Sequence, residues 1–400
     1  MPLKKIPSAG TPIGLRELLS GLQGLLNPRL SIESFERGIK DLLGVGFALA
    51  VNSGTTAIYI ALEVFKRIRP DRKKVIIPAY TAPVVKLPIE RADLKITLCE
   101  VSRETFNMDL TRLPELLSKD VLCVMPVHLF GIPTDIEPIK EMIGDKEIFI
   151  LEDAAQALGS RIDGKGVGSL GDIGILSFHR GKNLSTYSGG VILINSPILA
   201  GLCEAMVKGL REPGAIERFG YLLKLIVVSQ IVKPWIYGPF HPLVGPFKSR
   251  DIHPTFDTHA YTGLQAGVGL ELLGSLEGFS RARYENGMTL AKGLEGIPGI
   301  TIPKIRDGIW PVFNQFPLVV DDRGQIEGLM ASLWNRGIET TRLYLRPIHR
   351  IFDLGYPQGP DPFPVASWLA EGLLLIPTHP YMTRRDIEVV VETIREVVGS

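Results

Sequence analysis

Cysteine is scarce in this chain. Cys99, Cys123 and Cys203 form an odd set with no paired spacing. Two of them sit in strand-like apolar runs, ITLCEV and VLCVMPV, so the expectation is three small reduced core residues in a cytoplasmic protein rather than a disulfide framework. No metal site is expected. Net charge is equally meagre: 44 basic against 43 acidic residues leave +1. That balance, with no basic or aromatic clustering, argues against a nucleic-acid partner. No internal repeat or low-complexity segment appears, and the opening MPLKKIPSAGTPIG has no apolar run behind its lysines, so a secretory signal is not expected. Long hydrophobic runs are missing too, with one partial exception. FGYLLKLIVVSQIVKPWIYGPF, from Phe219 to Phe240, is broken by Lys224, Gln230, Lys233 and Pro234, whereas a spanning helix needs about 20 predominantly apolar residues. A helix buried against the core or a partner subunit is expected there. Peripheral membrane contact through 219–240, with the two lysines, Trp235 and Tyr237 at headgroup level, is the sharper alternative.

A chain of 400 residues exceeds what one core usually supports, so two domains are expected. After helical patterns at 15–26 and 31–43, strand-type runs alternate with helices: 48–52, 75–80, 95–101, 121–128, 147–153, 173–179 and 189–195. Nearly continuous apolar strands joined by helices imply an α/β domain in three layers, a mostly parallel sheet covered on both faces. The last two strands are separated by about ten residues, too few for a helical crossover, which predicts an antiparallel pair. From about residue 257 the pattern changes to a long, broken helix, strands near Ile300 and Phe316, and helices at 325–337 and 386–398. The expected division is a large domain over 1–255, including the helical N-terminal segment and the 219–240 stretch, and a smaller C-terminal α+β domain over 256–400.

Three weak signals fall in order along the first domain. In AVNSGTTAIYIAL a strand leads through Ser53, Gly54, Thr55 and Thr56 into a helix, whose free amides can hold an anion; an ordinary capped helix start reads the same way. In ILEDAAQALGS, Glu152 and Asp153 end a strand at the edge where α/β sheets bind ligands, with Gln156 following. In ILSFHRGKNLSTYSGGVILIN, Lys182 lies in the loop joining two apolar strands. A basic hairpin tip would explain it blandly. Together, a phosphate cradle, an acid and a lysine suit one cofactor, pyridoxal 5'-phosphate, which needs an anchor for its phosphate, a partner for its ring nitrogen and an amine for its aldehyde.

The run EDAAQALGSRIDGKGVGSLGDIGILSFHRGKN closely resembles the signature of the DegT/DnrJ/StrS family, nucleotide-sugar aminotransferases of pyridoxal-phosphate fold type I. VNSGTTAIYIAL, VIIPAYT, PVHLFGIPTDI, LQAGVGLELL and FPVASWLAEGLLLIPTHPYMTRRDIEVV resemble family segments in the family order, over roughly residues 35–400. The resemblance implies that Lys182 is the Schiff-base lysine and Asp153 the pyridinium partner. Gln156 would lie against the ring or its 3-hydroxyl. Gly54, Thr55, Thr56 and Ser177 would hold the phosphate, with His179 and Asn183 flanking the lysine. Arg346 and His349, in YLRPIHR, would lie near the sugar.

Two motifs depart from the family pattern. PAYTAP has Ala82 where the family usually has an aromatic over the ring, with Tyr80 two residues earlier as a substitute; FDTHAY has Thr258 and Ala260 where the family has an asparagine and an arginine, the asparagine reaching the neighbouring subunit's phosphate. The resemblance implies a homodimer that moves an amino group from an amino acid, commonly glutamate, to a nucleotide-linked keto-sugar for cell-surface polysaccharide or amino-sugar biosynthesis. The rivals are a cyclitol or membrane-associated keto substrate, a pyridoxal-phosphate-dependent sugar dehydratase, against which the retained Lys182 argues, and a non-catalytic family member.

Overall fold

The computed structural model describes residues 4–244, 255–356 and 359–399. Its first part is organised by β1 (Phe47–Val51), β2 (Lys74–Pro78), β3 (Lys95–Cys99), β4 (Val121–Val124), β5 (Phe149–Asp153), β8 (Ile173–Ser177) and β9 (Gly190–Ile194), with a small hairpin of β6 (Arg161–Ile162) and β7 (Lys165–Gly166) between β5 and β8. The seven long strands form one sheet in the order β1-β9-β8-β5-β4-β2-β3. The block from β8 to β3 is parallel, and β9 runs against both its neighbours. The antiparallel partnership of β8 and β9 sets Ser177 opposite Gly190, as the short loop between them requires.

Helices α1 (Leu15–Leu26), α2 (Pro28–Leu43), α3 (Gly54–Ile68), α4 (Lys86–Arg91), α5 (Glu137–Ile143) and α6 (Pro197–Lys208) belong to the same part. The period of two along each strand sends alternate side chains to opposite faces. Ile192 and Ile194 join the core that holds Ala57, Ala61 and Phe65 of α3, while Val191 and Leu193 join Phe35 and Ile39 of α2. Burial on both faces is why these strands read as continuous apolar runs.

The 219–240 stretch is not one buried helix. It lies in α7 (Ala215–Ile231) and α8 (Pro234–Val244), because Pro234 has no amide hydrogen to continue α7 and suits a first helical turn. Leu225, Ser229 and Tyr237 are buried, but Phe219, Leu223, Val227, Trp235 and Phe240 are exposed. Tyr237 does not face outward, since its hydroxyl donates to Glu339 Oε1 at 2.7 Å. Among the described residues, no helix is long and apolar enough to cross a membrane.

The second part opens with α9 (Gly263–Leu294), a single unbroken helix of 32 residues where the sequence suggests a break. It contains no proline, and its glycines weaken a helix without removing a hydrogen bond. Its packing on α1 and α2 holds it together. There follow β10 (Ile300–Thr301), β11 (Ile309–Trp310), β12 (Phe316–Val320), α10 (Ile326–Asn335), α11 (Ile348–Ile351), α12 (Pro364–Gly372), β13 (Leu373–Ile376) and α13 (Arg384–Val398). β10, β12 and β13 make an antiparallel sheet, and β11 pairs back onto β6. A domain division at 255/256 is a proposal on organisation: α9 follows it, yet packs on α1 and α2 as well as on α13.

Residues 5–11 thread between these parts as a largely buried strap. Ser8 N–H donates to Glu339 Oε2 at 2.7 Å, Arg283 donates to Gly10 O at 3.2 Å, and His379 Nε2 donates to Pro7 O at 2.7 Å. Burial, then the nearby Arg283, push the His379 pKa down to about 4. The native state therefore holds this imidazole neutral while the unfolded chain protonates it near pH 6.5. The resulting stability is complete above pH 6.5 and is lost as the pH falls towards 4. By linkage the loss is on the order of 3 kcal/mol. His379→Gln, which keeps a donor for Pro7, is expected to remove this part of the acid dependence in thermal melts from pH 7.5 to 4.5.

Candidate active site

Three chain ends converge at the carboxyl edge of the sheet. β5 ends at Asp153, β8 ends at Ser177 and leads into the Lys182 loop, and β1 leads through Ser53 into α3. The loop returns beside its start: Ser53 bridges Gly189, and Val51 pairs with Gly190.

Adjacent residues on a strand face opposite ways, and this separates the two acids that end β5. Glu152 accepts hydrogen bonds from His128 Nε2 (2.9 Å) and from the amides of Gly168, Leu170 and Gly171 (2.6, 2.7 and 2.9 Å). Thr134 N–H donates to His128 Nδ1, so the His128 proton sits on Nε2. Burial works against the Glu152 charge, but His128 and the amides outweigh it and hold the pKa below the usual range. Glu152 thus braces the loop before β8.

Asp153 turns the other way and is 4% exposed, its Oδ1 accepting the Ala155 amide at 2.9 Å. Burial raises its pKa, with the Ala155 amide, Lys182 and His128 pulling it back. Lys182 is the mirror image: burial lowers its amine, and the Asp153 carboxylate pulls it up. Desolvation disfavours each charge and the field of the other partly offsets it. A lysine at a hairpin tip would show no such coupling.

At the start of α3, Ser53 Oγ caps the helix by accepting the Thr56 amide at 3.1 Å. Thr56 is fully buried, and its hydroxyl is shared between Ser53 Oγ and Asp257 O. The amides of Gly54 and Thr55 remain at the helix mouth, the first-turn positions without an intrahelical acceptor. A Cβ on Gly54 would come 3.2 Å from Ser177 Cβ, and one on Gly190 would come 2.4 Å from Ser53 O. This close approach of three chain segments needs glycine at 190. Gly190→Ala is expected to displace the Ser53–Gly54 turn, to cost about 1–3 kcal/mol of stability and to weaken cofactor binding disproportionately. Melting curves with and without added pyridoxal phosphate, and a binding titration, check both parts.

The other expected residues fall into two groups. Gln156 Oε1 accepts the Phe130 amide at 3.0 Å, and Asn183 Nδ2 donates to Leu158 O at 2.9 Å, so both brace backbone around the site. Asn183 Oδ1 has no partner among the described residues. His179 is exposed, with Nδ1 3.2 Å from Arg180 O. Tyr80 is buried, and its hydroxyl donates to Leu343 O at 2.5 Å. Arg346 lines a cleft of about 270 Å³ with Arg350, Asp361, Ser367 and Glu371. His349 is bonded to Asp361 at 2.9 Å, and burial lowers its pKa against the pull of Asp361. The FDTHAY segment lies beside the Ser53 turn of its own chain, where Asp257 O accepts from Asn52 Nδ2 at 2.8 Å and the His259 amide donates to Asn52 Oδ1 at 3.3 Å.

Two residues escape a reading of the sequence. Tyr344 sits at φ 46 with its ring 5.9 Å from that of Tyr80; burial, with the Asp153 charge adding to it, raises its pKa. The quoted YLRPIHR begins with it, but no periodicity marks its role. Thr11, on the strap, donates to Lys182 O at 3.2 Å and Asn183 O at 3.4 Å; it lies 171 residues away from the lysine, and nothing local could have signalled it.

The arrangement fits pyridoxal phosphate on its own chemistry. A lysine with a lowered pKa can react with an aldehyde, a buried carboxylate suits a protonated ring nitrogen, and a helix mouth walled by Gly54 and Gly190 leaves room for a phosphate.

Comparisons with known proteins agree. The sequence profile described as the DegT/DnrJ/EryC1/StrS aminotransferase family matches residues 22–227 and 256–395. The dTDP-3-amino-3,4,6-trideoxy-alpha-D-glucose transaminase of Streptomyces venezuelae is 26% identical over 97% of this chain and 92% of its own. An aminotransferase of Helicobacter pylori involved in pseudoaminic acid biosynthesis superimposes with a TM-score of 0.79 at 17% identity, covering 99% of this chain and 100% of that one. The E. coli GDP-4-keto-6-deoxy-D-mannose-3-dehydratase, solved with bound hydrated PLP, gives 0.77 at 18% identity, covering 98% and 99%. These two share the fold. The chain belongs to the DegT/DnrJ/EryC1/StrS aminotransferase family and is a pyridoxal-phosphate-dependent transaminase of the sugar-aminotransferase type.

Proposed function

We propose that this protein transfers the amino group of an amino acid, glutamate being the expected donor, to the keto group of a nucleotide-linked sugar, as a cytoplasmic homodimer serving polysaccharide or amino-sugar biosynthesis. The observation that carries the reading is the placement of Asp153, buried at the end of β5, within electrostatic reach of Lys182, half-buried in the loop that leaves the neighbouring strand β8. Relatives lend support through the substrates in their names, a dTDP-linked amino sugar and a UDP-linked 3-dehydroglucosamine.

Bound pyridoxal phosphate would supply an aldehyde that takes up the amino group and a protonated ring that stabilises negative charge next to the reacting carbon. In this proposal Lys182 forms the resting attachment and is set free when the amino donor enters. Its Nζ would then take the proton from the donor α-carbon and return it to the carbon on the far side of the transferred nitrogen, which a lowered pKa makes workable near neutrality. Asp153 keeps the ring nitrogen protonated. Gly54, Thr55 and Ser177 hold the phosphate, Gln156, His179, Asn183 and Tyr80 shape the wall around the ring, and Arg346 and His349 face the sugar side. The balance over a cycle is amino acid plus keto-sugar to 2-oxo acid plus amino-sugar. Water is consumed in releasing the 2-oxo acid and returned in the second half.

Incubation of the purified protein with L-glutamate and a panel of nucleotide-linked keto-sugars tests the proposal. One 2-oxoglutarate is expected for each amino-sugar detected by mass spectrometry. Loss of a sugar hydroxyl without nitrogen gain would mean a dehydratase, and product from only a cyclitol or a lipid-linked keto-sugar would move the substrate class.

A further inference from the structure

We propose that the outer face of α7, with Trp235 and Phe240 of α8, seats this enzyme on an anionic lipid surface. Ile216, Phe219, Leu223, Ile226 and Val227 are 88, 60, 48, 41 and 52% exposed. At about 100° per residue they fall within one arc of the helix, on the side away from the fully buried Leu225. α7 is therefore apolar outside as well as inside, a pattern that requires something to cover the outer face. Trp235 and Phe240, 68 and 51% exposed, extend the same surface onto α8. The family match stops at 227 and resumes at 256, so the end of α7 and all of α8 lie outside the matched segments, while Ile216 to Val227 lie within them.

Charge identifies the occupant. From 211 to 240 the chain carries Arg211, Arg218, Lys224 and Lys233 against Glu212 and Glu217. Both acids are held by the arginines, Arg211 with Glu217 and Arg218 with Glu212. The surplus is thus Lys224, lying over the Tyr187 and Tyr221 rings at the rim of the apolar arc, and Lys233, bonded to Gln230. A second copy docked face to face about a two-fold axis would oppose like charges. A layer of anionic headgroups over acyl chains meets both the lysines and the apolar arc, and the exposed Trp235 is the side chain that membrane–water boundaries favour. This inference is independent of the substrate: a catalytically dead protein with the same face docks equally well.

Flotation of the full-length protein with extruded vesicles tests it. Vesicles of phosphatidylglycerol and phosphatidylcholine in equal parts should carry the wild type upward, with at least about tenfold weaker binding to phosphatidylcholine alone. The triple variant Ile216→Glu, Phe219→Glu, Leu223→Glu should lose about tenfold or more of that binding, and Lys224→Gln with Lys233→Gln about fivefold per lysine. All are surface changes, so transamination and circular dichroism should be unaltered. Wild type that stays with neither vesicle overturns the proposal. So does a triple variant that still floats, or one whose only change is a smaller mass in solution, which would make the face an interface between copies.

Discussion

Lys182→Ala should reduce transamination by at least about 10,000-fold, because one side chain is assigned both the attachment and the proton transfer. The lost amine has no substitute: Arg180 is exposed, at 5.2 Å over the Tyr187 ring, and a guanidinium does not lose its proton. Cavity formation is not the expected cause, since Lys182 is only half-buried, and the variant should melt close to wild type. Pyridoxal phosphate should still bind through the α3 mouth, but borohydride should no longer fix it to the protein. A variant that transaminates within tenfold of wild type would remove Lys182 from the mechanism. Single-turnover absorbance with glutamate reads the difference directly.

Asp153→Asn should lower the turnover number by about 100- to 1,000-fold, the scale of losing one pre-placed charge from a desolvated site. Its second effect has a defined sign. The Asp153 carboxylate raises the Lys182 pKa against burial, so removing that charge should drive it lower still. The amine of the cofactor-free variant should stay reactive at pH values where the wild-type amine is already protonated. Labelling with trinitrobenzenesulfonate, followed by peptide mapping across pH, measures this; an upward shift would mean that the two groups do not face each other as described.

The strands of the central sheet were legible because burial on both faces leaves unbroken apolar runs, and the β8–β9 reversal because the loop between them is short. The Asp153–Lys182 pair was legible through its motif, not through any physical signal in one segment. Strand alternation could have told Glu152 from Asp153, but the four donors that claim Glu152 come from loops 16 or more residues away. Pro234 announced the break between α7 and α8, while nothing announced that the outer face would stay uncovered. The single helix α9 and the strap carrying Thr11 are long-range outcomes. Packing on α1 and α2 overrides the glycines of α9, and Thr11 reaches Lys182 only because residues 5–11 are pinned by Glu339, Arg283 and His379.

The most direct test of the central claim is borohydride reduction of the protein loaded with pyridoxal phosphate, followed by proteolysis and mass spectrometry. A phosphopyridoxyl group on the peptide carrying Lys182, with loss of the visible absorbance band, is the result predicted here. An adduct on another lysine, or none on a protein that binds the cofactor and transaminates, would contradict the account.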